Sequence, residues 1–334
     1  MADTFLTLTE AANLSQADLH AEIIRTIANM DPVLRGGINL PEYADPAALP
    51  FMRVQDPTYT VIRESTRPEA AWYNPGEKVT SVAGTVATTD FLVKELKARI
   101  PIPRSIQMGS SRYVSQVTQQ LNSQLLGMVD KFMETFYYGD TVTNSKEPKG
   151  LHKMVSATTP DMSMDASASS ATAAALTLTN LDDLISRMKF GCDMLVMSRQ
   201  MWRRFTIAIR DTTTQIAGNL VEGRNEWGLP VRTYGGIPIF PSDYIRDTEL
   251  CNTSDAFVNA TGGSGTSIYA LKFGPDFLHG INLGTGIEVN VIPGPTQDED
   301  SHIIWVTWYV GLVLESPFGL GILMDLAPAS AITA

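Results

Sequence analysis

The residues able to do chemistry in this 334-residue chain are few and scattered. His20, His152, His279 and His302 fall in separate stretches, so each reads as a surface or core histidine rather than as a metal ligand or a base. There is no glycine loop ending in Lys-Ser/Thr, no His-Glu-x-x-His and no Cys-x-x-Cys. Gly284-x-Gly286 opens a strand-like run and lacks the following helix that a dinucleotide site requires. Cys192 and Cys251 are too few for a disulfide framework and are expected to be buried and inert in a reducing compartment. Arg199, Trp202-Arg203-Arg204 and Arg210 share a basic helix face, which suits a solvated or intersubunit surface or a nucleic-acid contact. No catalytic, metal-ligating or cofactor-binding residue is assigned.

Composition narrows the class further. With 44% hydrophobic and 18% charged residues, the chain can bury one large core or two to three small ones. A net charge of −11 argues against a dedicated nucleic-acid binder, whose affinity would come from lysines and arginines displacing counterions. Met1-Ala2-Asp3-Thr4 lacks the basic head and apolar run of a secretory signal, which places synthesis in a cytoplasm. The stretch 302–326 is strongly apolar, but Glu315, Pro317 and Gly319 interrupt it, and its first half is aromatic and β-branched. It reads as two buried strands joined by a turn rather than as a membrane span.

The elements must be organised around 111–138. Tyr113, Val117, Leu121, Leu125, Met128, Phe132 and Phe136 recur every three or four residues, with Gln116, Gln120, Ser123, Asp130, Lys131 and Glu134 between them. The spacing predicts one helix roughly 40 Å long, capped at Ser110 or Ser111 and closed by a left-handed Gly139. Before it, 1–57 predicts an N-terminal arm: Ser15 and Asp18 open a helix to about Met30, and repeated prolines then keep the chain extended. Residues 58–104 predict a two-stranded ribbon, outgoing at 59–64 and returning where Leu96, Ala98, Ile100 and Ile102 alternate. Its tip carries Trp72 and Tyr73. Such a ribbon is marginal alone and needs a partner surface. Its seven cations, Arg63, Arg67, Lys78, Lys94, Lys97, Arg99 and Arg104, exceed its carboxylates by two on an acidic chain, which fits a solvated hairpin or an electrostatic docking arm.

Beyond the helix, the small-residue tract 156–175 reads as a mobile loop because it holds too little apolar surface to order itself. Thr179 and Asp182 cap a helix, 194–197 is a buried strand, and Ser198 opens a further helix. Gly235-Gly236 joins a hairpin of 231–234 with 237–240, and 267–273 and 286–292 are strands. The mixture is α+β.

This order of parts resembles the major capsid proteins of tailed double-stranded DNA bacteriophages, the Hong Kong 97-type fold. Met197-Ser198-Arg199-Gln200-Met201-Trp202-Arg203-Arg204, Tyr234-Gly235-Gly236-Ile237-Pro238-Ile239, Ile268-Tyr269-Ala270-Leu271-Lys272-Phe273-Gly274 and Trp308-Tyr309-Val310-Gly311-Leu312 are similar to stretches of that family. The resemblance implies an N-terminal arm at 1–57, an E-loop at 58–104, a P-domain with the spine helix at 105–150, an A-domain at 151–285 and a return to the P-domain at 286–334. It implies a structural protein rather than an enzyme. Copies would assemble into pentamers and hexamers of an icosahedral virion shell, enclosing double-stranded DNA without specific binding. Arg63, Arg67, Trp72, Tyr73, Lys78, Lys94, Lys97 and Arg99 are then the candidate intersubunit contacts. A scaffolding protein, a portal and a decoration protein are the further partners such a family brings; no cofactor and no membrane are implied. An encapsulin-like compartment has the same fold and is the first alternative, followed by an enzyme with an unrecognised site.

Overall fold

The computed structural model describes residues 33, 49–66, 68, 70–78, 83–103, 112–155, 162–167, 172–210, 220–224, 230–251, 263–292 and 301–332. Among the described residues four strands come first: β1 (Phe51–Val54), β2 (Thr58–Thr66), β3 (Thr85–Leu92) and β4 (Lys94–Pro103). The long helix α1 (Arg112–Tyr138) follows, then α2 (Leu151–Val155), β5 (Ser163–Asp165), α3 (Leu178–Arg187), β6 (Met194–Ser198) and α4 (Arg199–Arg210). The remainder is β7 (Leu220–Arg224), β8 (Pro230–Tyr234), β9 (Ile237–Ser242), β10 (Thr266–Leu271), β11 (Leu278–Ile292), β12 (Ser301–Leu314) and β13 (Leu320–Leu326). They form a four-stranded sheet, β1-β11-β12-β4, a seven-stranded sheet, β5-β13-β10-β6-β9-β8-β7, and a separate ribbon, β2-β3.

Helix α1 forms where its periodicity placed it. Leu125, Met128, Phe132 and Phe136 are buried, while Ser123, Asp130, Lys131 and Glu134 are exposed. The Phe132 ring lies 4.5 Å from that of Trp308, which seats the helix on the four-stranded sheet. Its expected caps, Ser110 and Ser111, and the helix expected from Ser15 lie outside the described residues. Gly139 ends the helix for a different reason than a left-handed turn. It is absent from the residues of positive φ; a Cβ there would stand 2.3 Å from the Pro148 carbonyl oxygen. Gly150 answers it, its N–H donating to the Gly139 oxygen at 2.8 Å, so two bare backbones touch where α1 leaves and α2 begins.

The ribbon corrects the expected pairing. Tyr59 lies opposite Phe91 and Val61 opposite Thr89, so the return strand is β3. The alternating stretch, β4, instead pairs with β12, with Ile100 opposite Ile304. Alternation reports that one face is buried, and Ala98 and Ile100 are indeed buried; it does not say which strand lies alongside. β3 is mostly exposed and carries no such signal.

The apolar stretch 302–326 does form two strands, but they are not a pair. A 3₁₀ turn, Pro317–Gly319, carries the chain from β12 in one sheet to β13 in the other, where Ile322 lies opposite Tyr269 of β10. β11 starts at Leu278 rather than at Gly286, and Gly284, at φ +67°, falls where the register shifts between Asn282 and Ile287. The tract 156–175 is ordered in its described part: β5 runs parallel to β13, and the Ala174 N–H donates to the Asp325 oxygen at 2.9 Å. Backbone pairing with a sheet edge orders what side chains alone could not. The cap of α3 is Thr177, whose Oγ1 accepts from the Asn180 N–H at 3.1 Å, not Thr179.

Other expectations hold. β6 is wholly buried, the Ser198 Oγ accepts from the Met201 N–H at 3.3 Å, and Gly235 and Gly236, at φ +56° and +86°, make the tight turn between β8 and β9. No helix among the described residues is long and apolar enough to cross a membrane.

Candidate assembly surfaces

The ribbon is the least self-sufficient element. Val61 and Phe91 are buried on its inner side, yet Ile62, Val86 and Leu92 are exposed and Trp72 at its tip is wholly so. Its foot is fixed by polar contacts. The Val93 N–H donates to the Pro57 oxygen at 2.9 Å and closes the base. The Tyr59 hydroxyl donates to Glu315 at 2.7 Å and its ring stands edge-on to His279, with centroids 5.9 Å apart. The Arg63 Nε donates to the Glu315 carbonyl at 2.8 Å, and its Nη2 reaches the Leu314 carbonyl. The hydrogen bond to Glu315 holds the Tyr59 phenol above its ordinary pKa, and burial lowers that of the Arg63 guanidinium.

The expected contact residues therefore separate into two groups. Trp72, Tyr73 and Lys78 stand on the exposed tip, and Arg67 lies outside the described residues. Lys94, Lys97 and Arg99 belong to β4 and thus to the four-stranded sheet. The Lys94 Nζ donates to the Ser145 carbonyl of the loop after α1 at 2.9 Å, and Lys97 pairs with Glu95. Arg63 is half-buried against its own chain.

Sequence reasoning missed a buried polar junction between the end of α1 and the seven-stranded sheet. Tyr138 and Ser267 both donate to Glu249, the latter at 2.5 Å, and the Arg246 guanidinium lies 4.4 Å from the Tyr138 ring centre while bonding Glu134 at 3.0 Å. His152 Nδ1 is 3.2 Å from the Tyr269 hydroxyl. Burial pushes Glu249 up to about 7 and His152 down to about 4. Beside this junction opens a cavity of about 480 Å³, lined by Lys131, Glu134, Asp140, Glu147, Lys153 and Arg246. Lys131 reaches Glu134 and Glu147 at 3.2 and 3.3 Å, and Lys153 reaches Asp140 at 3.6 Å, so the lining charges are spent on one another rather than arranged as a nucleophile and its base. Burial raises Cys192 to about 12 and Cys251 to about 11, which makes both poor nucleophiles. Among the described residues no cluster of three or more His, Cys, Asp or Glu could hold a metal ion.

No protein-family model matches the sequence, and neither does any curated protein. Solved structures do match in backbone. The holo-SrpI encapsulin complex of Synechococcus elongatus PCC 7942 is similar at a TM-score of 0.58 and 16% identity, over 86% of this chain and 88% of that one. The capsid of a native GTA particle gives 0.56 and 12%, over 83% and 88%. A chain from Mycobacterium phage Bobi gives 0.54 and 14%, over 96% and 98%. The chain has the Hong Kong 97-type capsid fold. At such identities the capsid fold resides in the order and pairing of elements, which is why the long helix and the strand order revealed it while no single motif could. The buried junction left no such trace, because Tyr138, Glu249 and Ser267 are far apart in sequence and of ordinary types.

Proposed function

We propose that this chain is a major capsid protein, whose copies close into pentamers and hexamers that tile an icosahedral shell around phage double-stranded DNA. The observation that carries the reading is the fold itself, matched over 83% of the chain by the GTA capsid and 96% by the phage Bobi chain. The exposed ribbon supports it physically, because Trp72, Ile62 and Val86 need a surface that the described residues of their own subunit do not supply. Head-to-tail contacts of this kind close rings, and individually weak contacts become strong when each copy is held by several neighbours. On this reading 58–104, with the ribbon as its projecting part, is the E-loop, 105–150 with α1 and the return at 286–334 make the P-domain, 151–285 with α3 and α4 is the A-domain, and 1–57 is the N-terminal arm. Arg67, Trp72, Tyr73 and Lys78 make the outward contacts, with Arg63, Lys94, Lys97 and Arg99 at the ribbon foot and on β4. The role is structural rather than enzymatic, its place is the virion, and a scaffold, a portal and decoration proteins are its outside partners. A net charge of −11 suits a container that must not grip its cargo.

The test is expression followed by negative-stain microscopy and assay of nuclease-protected DNA in phage-derived particles. Closed shells with DNA are expected; a compact monomer at all concentrations would end the reading. The likeness to the holo-SrpI encapsulin complex favours one second reading, a protein compartment, which shells filled with protein and lacking DNA and a portal would establish.

A further inference from the structure

We propose that a cationic cluster at the foot of the ribbon is a docking site for the acidic run Asp298-Glu299-Asp300 of a second copy of this chain. The inference rests on the shell reading and names one of its contacts. The loop 139–150 carries Lys149, half-buried, against Arg63 of β2 and Lys153 of α2. Lys94 of β4 joins the same loop through the Ser145 carbonyl at 2.9 Å. Arg63 and Lys94 are held by carbonyl oxygens, which fix their positions, and the Glu315 carboxylate also acts on Arg63. Two carboxylates lie near, Asp140 beside Lys153 at 3.6 Å and Glu315 beside Arg63, so the four cations Arg63, Lys94, Lys149 and Lys153 outnumber them by two. No carboxylate among the described residues hydrogen-bonds Lys149, and burial, then Arg63 and Lys153, depress its ammonium below the ordinary lysine range. A half-buried site that gathers like charges is unfavourable until an anion completes it.

The sequence supplies that anion at the opposite end of the same sheet. Asp298-Glu299-Asp300 immediately precedes Ser301, where β12 begins, whereas the cluster lies where β12 ends, at Leu314 and Glu315. Those thirteen steps of strand cover about 44 Å. Three residues of chain span at most about 10 Å, so the run cannot fold back onto its own cluster. Acid at one end and base at the other of one rigid sheet is a head-to-tail pairing, the kind that closes rings.

Zero-length carbodiimide coupling of assembled particles should join the Lys149 peptide to the peptide carrying Asp298, Glu299 and Asp300, and should not do so in dissociated subunits. Coupling between copies at other sites, with none at Lys149, would overturn the proposal. As a second arm, Lys149→Glu should leave the subunit folded by circular dichroism and cut particle yield by about tenfold. Asp298→Lys with Asp300→Lys in the same chain should restore it. A Lys149→Glu variant that assembles like the parent, or a reversal that restores nothing, would refute the pairing. Loss of DNA retention alone, at unchanged particle number, would assign the cluster to phosphate instead. If the parent chain forms no particles under the microscope, the shell reading fails first and takes this contact with it.

Discussion

The phenol of Tyr138, the last residue of α1, donates its hydrogen bond to the buried carboxyl of Glu249, tying the spine helix to the seven-stranded sheet. The neighbourhood holds two titrations of opposite sign. Glu249 is raised from 4.5 to about 7 and His152 lowered from 6.5 to about 4, both chiefly by burial. Between pH 4.5 and 6.5 the folded state keeps a proton on Glu249 that the unfolded chain has released, so this group favours folding as pH falls. Over the same range the unfolded chain protonates His152 and the folded one does not, which disfavours folding as pH falls. Each slope is about 1.4 kcal/mol per pH unit, and the two nearly cancel. Glu249→Gln should therefore lose roughly 3 kcal/mol relative to the parent between pH 6.5 and 4.5, and His152→Gln should gain a similar amount. Urea midpoints across pH 4.5 to 7.5 read both; parallel pH profiles for parent and Glu249→Gln would remove Glu249 from this role.

Two glycines of the same region should respond oppositely to alanine. Gly127 sits within α1 with nothing within 4 Å of an added Cβ, so Gly127→Ala should stabilise by about 1 kcal/mol through helix propensity. At Gly139 the added atom would meet the Pro148 and Thr135 oxygens at 2.3 and 2.6 Å, and Gly139→Ala should cost more than about 2 kcal/mol. Thermal or urea unfolding of the pair decides; a neutral Gly139→Ala would mean that the α1 exit does not need its close approach to Pro148.

What the sequence made legible followed from how local the signal was. The buried stripe of α1 from Leu125 onward, the wholly buried β6 and the Gly235-Gly236 turn are each written in one continuous stretch of sequence, and each formed as read. Pairing is not local: Ile100 alternates as any half-buried strand would, and nothing near it says that Ile304 is its neighbour. The same limit separated β12 from β13, which look like a hairpin until Pro317–Gly319 carries the chain between sheets. Of the expected contact residues, Trp72 was legible as an aromatic side chain at the ribbon tip, where it is fully exposed. Lys94, Lys97 and Arg99 were drawn to the ribbon by the mistaken return strand.

The ribbon's attachment should be separable from its fold. Tyr59→Phe removes the 2.7 Å bond to Glu315 while keeping the ring against His279, at a cost of about 1 kcal/mol. Because the ribbon is a two-stranded sheet whose strands pair with neither larger one, the loss should appear there first. Amide exchange in β2 and β3 should quicken about fivefold while β10 is unchanged. Uniform acceleration across all three strands would mean that the ribbon opens only with the whole subunit.

Trp72 provides the most direct test of what the ribbon is for. Its side chain is fully exposed in the isolated chain, so Trp72→Ala should shift subunit stability by less than about 0.5 kcal/mol. Covering such a side chain in a neighbour would contribute roughly 2 kcal/mol, so the concentration needed for assembly should rise by tenfold or more. In subunits, acrylamide should quench a component of the tryptophan emission that Trp72→Phe abolishes, and assembly should shield that component. Two results would contradict a contact role for the tip: an unchanged assembly threshold in Trp72→Ala, or a Trp72 component equally quenched in particles. Lys78→Ala, also exposed on the tip, separates apolar from ionic docking, because only its effect should vanish as salt is raised.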